Sequence, residues 1–129
     1  MPQPLEGLTV LDFTTLLPGP LAGLMLAEAG ANVIKVERPG GEDIRTFPPF
    51  VGGDAVLFAQ LNRGKEILEA DLKAQDARET LEPYLEKADI LLEQFRPGVM
   101  DRLGLGYEEL SARYPKLIYC SISGFGQTG

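Results

Sequence analysis

The chain has 129 residues, 44% of them hydrophobic and 24% charged, with one cysteine, no histidine and a formal net charge of −7. That is enough for one domain with a real core in an ordinary globular balance. The acidic excess argues against long-range attraction to nucleic acid or an anionic membrane, and the lone cysteine excludes an internal disulfide. Without imidazole, chemistry within these residues lacks the commonest proton shuttle and metal ligand. No apolar run approaches the roughly 20 residues of a membrane helix. The opening MPQPLEG has neither a charged n-region nor an apolar h-region, so a cytoplasmic, reducing location is the expectation.

In chain order, residues 8–13 read as a buried strand: a short apolar run with the β-branched Thr9 and Val10. DFTTLLPGP follows, where a dinucleotide-binding protein would carry glycines. Pro20 suits the first turn of a helix that runs to about Ala29, with Gly30 as its cap. NVIKVE, 32–37, is a second strand, close enough behind the helix for a right-handed βαβ crossover. Residues 39–64 are irregular and punctuated by Gly40-Gly41, Pro48-Pro49 and Gly52-Gly53, with AVLFAQLN suited to a short helix. EILEAD, 66–71, is a short strand. Residues 74–87 form a helix with Ala77, Leu81, Tyr84, Leu85 and Ala88 on one stripe, which Pro83 should kink or split in two. DILLEQF, 89–95, is a strand; Pro97-Gly98 turns; short helices begin at Val99 and span 107–113; LIYCSIS, 117–123, is the last strand. The alternation predicts an α/β fold: a doubly wound, mainly parallel sheet with flanking helices. The chain stops inside a glycine-rich loop, SISGFGQTG, and the expectation is a fragment of a longer polypeptide.

Three stretches carry possible chemistry. Pro18 and Pro20 remove backbone donors from the place where a pyrophosphate would want them. Residues 14–20 therefore read either as a rigid, partly apolar wall for a flat group or as a stiff turn. Glu37-Arg38 ends the second strand, where an acid suits a ribose hydroxyl and an arginine a ribose phosphate; the competing reading is a solvated charge pair. A literal GxGxxG occupies 124–129, but neither a following helix nor an acid some 20 residues on supports a dinucleotide fingerprint. Asp12 ends the first strand as a turn cap, Cys120 reads as a small core residue, ETLEPYLEK as a solvated helix face, and no cluster has metal-ligand spacing.

Together, PLEGLTVLDFTTLLPGPLAGLMLAEAGANVIKVERPGG, LNRGKEILEADLK, KADILLEQFRPGVMDRLGLGYEEL and LIYCSISGFGQTG resemble the N-terminal part of family III CoA-transferases, whose members include α-methylacyl-CoA racemases. The resemblance covers nearly the whole chain. It implies that 1–129 is an N-terminal CoA-binding α/β domain of a larger two-domain chain that assembles as an interlocked homodimer. It implies coenzyme A, as acyl-CoA, and a carboxylic acid acceptor as partners, with no metal, nucleic acid or membrane. Carried over by motif, Leu16 and Pro18 lie against the adenine, and Arg38 takes the ribose 3′-phosphate. Lys73, with Ala70 beside it, is near the phosphates. Gln94, Phe95, Arg102 and Leu103 line the adenine and phosphate side. The family's catalytic groups fall beyond Gly129: an aspartate nucleophile in the transferases, a histidine and an aspartate in the racemases. No catalytic residue is therefore expected in this chain, and it should have no turnover alone. A CoA-transferase is the leading reading; an acyl-CoA racemase and a non-catalytic nucleotide-binding module are the alternatives.

Overall fold

The computed structural model describes residues 2–128. The first half contains β1 (Thr9–Asp12), α1 (Pro18–Glu28) and β2 (Asn32–Glu37), then a 3-10 turn (Asp43–Thr46), a small hairpin of β3 (Phe50–Val51) and β4 (Asp54–Ala55), and α2 (Val56–Asn62). The second half contains β5 (Glu66–Glu69), α3 (Ala77–Lys87), β6 (Ile90–Glu93), α4 (Val99–Arg102), α5 (Tyr107–Arg113) and β7 (Ile118–Ser121). The five longer strands make one sheet in the order β5-β2-β1-β6-β7, and every neighbouring pair is parallel. The chain winds outward from β1 through β2 to β5, then returns to the other side of β1 for β6 and β7. The expected doubly wound α/β sheet is present.

Strand alternation divides the core in two. Val10 and Val33 face α1 and pack with Ala31 and Leu92. Their neighbours Leu11 and Ile34, with Phe13, Val36 and Leu91, face the opposite way and pack against Leu81 and Leu85 of α3, Met100 of α4 and Leu110 of α5. Helix α2 lies beside α1. Pro18 and Pro20 sit in the first turn of α1, where a missing N–H leaves no bond unmade. Gly30, at φ +108°, ends that helix in a conformation that suits glycine. Along α1, Gly23 and Leu24 are buried, while Leu17, Leu21 and Met25 form an exposed apolar stripe.

Three expectations change. The irregular 39–64 stretch holds an antiparallel hairpin, Phe50 opposite Ala55, besides the helix expected at AVLFAQLN. Pro83 does not divide its helix: α3 is continuous from Ala77 to Lys87. Pro83 lies on the exposed side, opposite the buried Ala77, Leu81 and Leu85. The carbonyl it leaves without an N–H partner can therefore turn to water, and packing of the apolar stripe overrides the local preference. The charged face is also less solvated than expected, because Glu82 accepts a hydrogen bond from Tyr114 and pairs with Arg113, tying α3 to the end of α5.

Replacing Pro83 by Ala restores one helix hydrogen bond on an exposed face. The expected outcome is a gain of about 1–3 kcal/mol in unfolding free energy by urea titration, reduced from the full proline penalty by the freer unfolded chain.

Candidate functional site

Going outward from β1, the chain runs through β2 to β5; going back, it adds β6 on the other flank. The reversal lies between β1 and β6, and ligands of such sheets bind beyond the carboxyl ends of the strands at that point. A cleft of about 580 Å³ opens there. Its floor and walls are mainly apolar: Phe13 after β1, Val36 in β2, Leu72 after β5, then Phe95, Val99 and Leu103 after β6. Two cationic residues, Arg38 and Lys73, also line it. Arg38, Lys73, Phe95 and Leu103, distant in sequence, are thus brought to one place.

The other expected residues are arranged around this cleft without lining it. Leu16 and Pro18 are exposed on the β1–α1 turn, next to the cleft-lining Thr15. Ala70 is buried in the core, its N–H donating to the Glu37 carbonyl at 2.8 Å. Arg102 is exposed on α4. Gln94 serves the turn itself: its Nε2 donates to the Thr15 carbonyl at 2.5 Å, and its Oε1 accepts from the Gly19 N–H at 2.9 Å. Gly19 is required for that approach, since a Cβ there would fall 2.2 Å from Thr14 Cβ and 2.3 Å from Gln94 Oε1.

The turn is held by side chains from every direction. Thr14 N–H donates to Asp12 Oδ1 at 2.8 Å, and the Thr14 carbonyl accepts from Lys35 Nζ at 3.0 Å. Leu16 N–H donates to Glu42 Oε1 at 2.8 Å, and the Pro20 carbonyl accepts from Lys65 Nζ at 2.9 Å. The prolines have no N–H, and the donors of Thr14, Leu16 and Gly19 are already used. This turn cannot present the row of free backbone donors that a pyrophosphate needs. The cations that line the cleft are Arg38 and Lys73, beside the acids Glu37 and Asp71.

Beneath the turn lies a group of charges that the sequence reading did not assemble. Asp12 and Lys35 are register partners on adjacent strands, and both side chains are fully buried. Asp12 Oδ2 pairs with Lys65 Nζ at 2.8 Å, with both side chains inaccessible, and Lys35 pairs with Glu42. Burial pushes the Lys65 ammonium below its usual range, with Asp12 opposing that shift. The available signal was polar residues inside two apolar strands, LTVLDF and NVIKVE; their partners in the loops had no local signature. Asp12 therefore does more than cap a turn.

Glu37 needs a correction. It is neither a solvated end charge nor a free ribose acceptor. Both its carboxylate oxygens accept from Arg45, at 2.7 Å each, and Oε2 also takes the Glu42 N–H at 2.8 Å. Arg45 in turn stacks on Phe58, 3.8 Å from the ring centre. Burial alone would raise the Glu37 carboxyl, but the Arg45 and Glu42 hydrogen bonds outweigh it and hold the group below the usual carboxylate range. Arg38 remains exposed, its Nε on the Gly41 carbonyl and its guanidinium paired with Asp43. Among the described residues Lys73 makes no ion pair. In the GxGxxG stretch Phe125 is 93% exposed and no helix follows within the described residues; Gly129 lies outside them. Cys120 is half-buried in β7 against the α1-side cluster.

A family model described as CoA-transferase family III matches residues 5–129. The chain is 50% identical over 127 residues to an acetyl-CoA:oxalate CoA-transferase of Acetobacter aceti, a match that covers 98% of this chain and 33% of that protein. It is 43% identical over 129 residues to the human succinyl-CoA:glutarate CoA-transferase, covering 98% of this chain and 30% of that one. The crystal structure of a CAIB/BAIF family protein from Brucella suis matches with a TM-score of 0.92 at 44% identity, over 100% of this chain and 35% of that one. The chain thus spans about a third of the length of these proteins.

The Glu37–Arg45 pair makes stability depend on acid. A carboxyl held below its unfolded value stays ionised where the unfolded chain would bind a proton, so its contribution is complete above the unfolded value. That contribution is lost as pH falls through the folded value. Urea midpoints measured from about pH 6 to about pH 3 should fall, and Glu37→Gln should give a lower but flatter profile. An unchanged slope in the variant would assign the acid sensitivity to other carboxylates.

Proposed function

We propose, for a chain that belongs to CoA-transferase family III, that the cleft beyond β1 and β6 seats the adenosine-phosphate end of coenzyme A. The complete protein, in this proposal, moves CoA from an acyl-CoA to a carboxylic acid. The transferase names of the relatives support this reaction. The observation that carries the CoA assignment is the pairing of an apolar cleft with two cationic residues at the sheet's switch point, above a turn whose Thr14, Leu16 and Gly19 donors are occupied.

The parts fit the ligand's chemistry. A purine needs a flat apolar wall, and Phe95, Val99 and Leu103 supply one. Leu16 and Pro18 are assigned to its outer lip. A ribose 3′-phosphate needs a fixed cation, and Arg38 can grip it bidentately. Its present partner, Asp43, is exposed, so that ion pair is weak and exchangeable for phosphate. Lys73, as a point charge, suits the pyrophosphate. Arg102 is assigned to the phosphate side. Ala70 and Gln94 act from behind, Ala70 by anchoring the strand end before Lys73 and Gln94 by holding the turn. The acyl chemistry is assigned to the remainder of the complete protein, and the complete protein to a homodimer. Apolar surface such as the Leu17, Leu21 and Met25 stripe is what further polypeptide would cover.

Calorimetry on the complete protein with CoA and with 3′-dephospho-CoA tests the assignment. Hydrogen bonds to a charged group are worth about 1.5–3 kcal/mol. CoA should therefore bind roughly 10- to 100-fold more tightly than the dephospho form. Arg38→Ala should abolish that preference and leave dephospho-CoA affinity nearly unchanged. Equal affinity of the native protein for the two ligands would overturn the role of Arg38.

A further inference from the structure

We infer that Glu42, its charge neutralised in the interior by Lys35, is a positioning residue for CoA: it holds Leu16 in the left-handed backbone conformation that sets the outer lip of the cleft. The inference rests on the CoA assignment above.

Among the described residues Leu16 is the one non-glycine with positive φ, at +66°. A bulky L-residue does not adopt that conformation unaided, and it persists where its surroundings over-determine it. Here they do. Leu16 N–H donates to Glu42 Oε1 at 2.8 Å, and Glu42 pairs through its other oxygen with Lys35. Lys35 Nζ reaches back to the Thr14 carbonyl at 3.0 Å. The four residues close a ring over the turn. Glu42 is itself fixed, because its own N–H is held by Glu37 at 2.8 Å.

Stability alone does not account for this ring. A buried ion pair is often matched or exceeded by apolar residues of the same volume. Glycine at 16 would take the conformation without strain, but it would offer no side chain. Leucine keeps an apolar surface at the mouth of the cleft, and the strain is what the ring opposes. Glu42 also lies in the segment that carries Arg38. The proposed outer lip and the segment that carries the proposed phosphate cation are therefore tied together through a single side chain.

Two double variants of the complete protein separate positioning from folding. Lys35→Met with Glu42→Gln removes both charges and keeps an amide oxygen for Leu16 N–H. Lys35→Met with Glu42→Leu removes both charges and the acceptor. Each is measured for thermal unfolding, for exchange of the Leu16 amide and for CoA affinity by calorimetry. The Gln variant should bind CoA within about 3-fold of the native protein. The Leu variant should unfold at a similar temperature, exchange the Leu16 amide faster and bind about 10-fold more weakly, because less of it is binding-competent. Equal binding by the two variants, with the native protein binding CoA, would overturn the positioning role alone. A native protein that does not bind CoA would overturn the CoA assignment and the positioning role with it. Should the Leu variant not fold, Leu16→Ala tests the outer lip directly. That side chain is exposed, so melting should hold while CoA affinity falls by about 10-fold, from the lost apolar contact. Unchanged affinity would overturn the inference.

Discussion

Two buried ion pairs, Asp12–Lys65 and Lys35–Glu42, set the conditions for everything above them. Asp12 and Lys35 stand side by side on the two central strands, on the face covered by α1, where water does not reach. A charge left there without a partner would cost several kcal/mol. Each must therefore draw an opposite charge from a distant loop: Lys65 from before β5, Glu42 from after β2. Those loops are anchored under α1 as a consequence. Gly23 shows how close the fit is, since a Cβ at that position would lie 2.5 Å from Asp12 Oδ2.

The same charges also hold the β1–α1 turn, which changes how the fold can recognise an anion. In a glycine-rich nucleotide site, free backbone N–H groups and a helix N-terminus meet the phosphates. Here N–H groups are absent at the prolines, and those of Thr14, Leu16 and Gly19 are bound internally to Asp12, Glu42 and Gln94. Positive charge comes from Arg38 and Lys73, on the β2 and β5 ends of the cleft. A turn that need not wrap phosphate can be stiff and apolar, which suits a base better than a pyrophosphate.

Much of the fold was legible in residue patterns. The short, largely apolar run of NVIKVE, the stripe Ala77, Leu81 and Leu85, and the caps around Pro20 and Gly30 all act over a few residues, and these elements formed where expected. Pro83 was misjudged because packing of its helix's inner face outweighs a local cost on the outer face. The hairpin at Phe50 and Ala55 was missed because strands of two residues leave almost no periodic signal. In the site, motif resemblance brought forward Arg38, Lys73, Phe95 and Leu103, and these converge on the cleft. Glu37 was read by its position at a strand end, and its capture by Arg45 depends on a turn eight residues on.

The sequence by itself determined the alternation of strands and helices, the parallel sheet and the family, because propensity, hydrophobic period and motif order are properties of neighbouring residues. Only the tertiary structure decided which charges meet. Asp12 and Lys65 are separated by two helices, a strand, a 3-10 turn and a hairpin, and nothing in their local sequence names the partner. The low dielectric of the interior makes that pairing obligatory once the strands are in register, and the shape of the turn above the cleft follows from it.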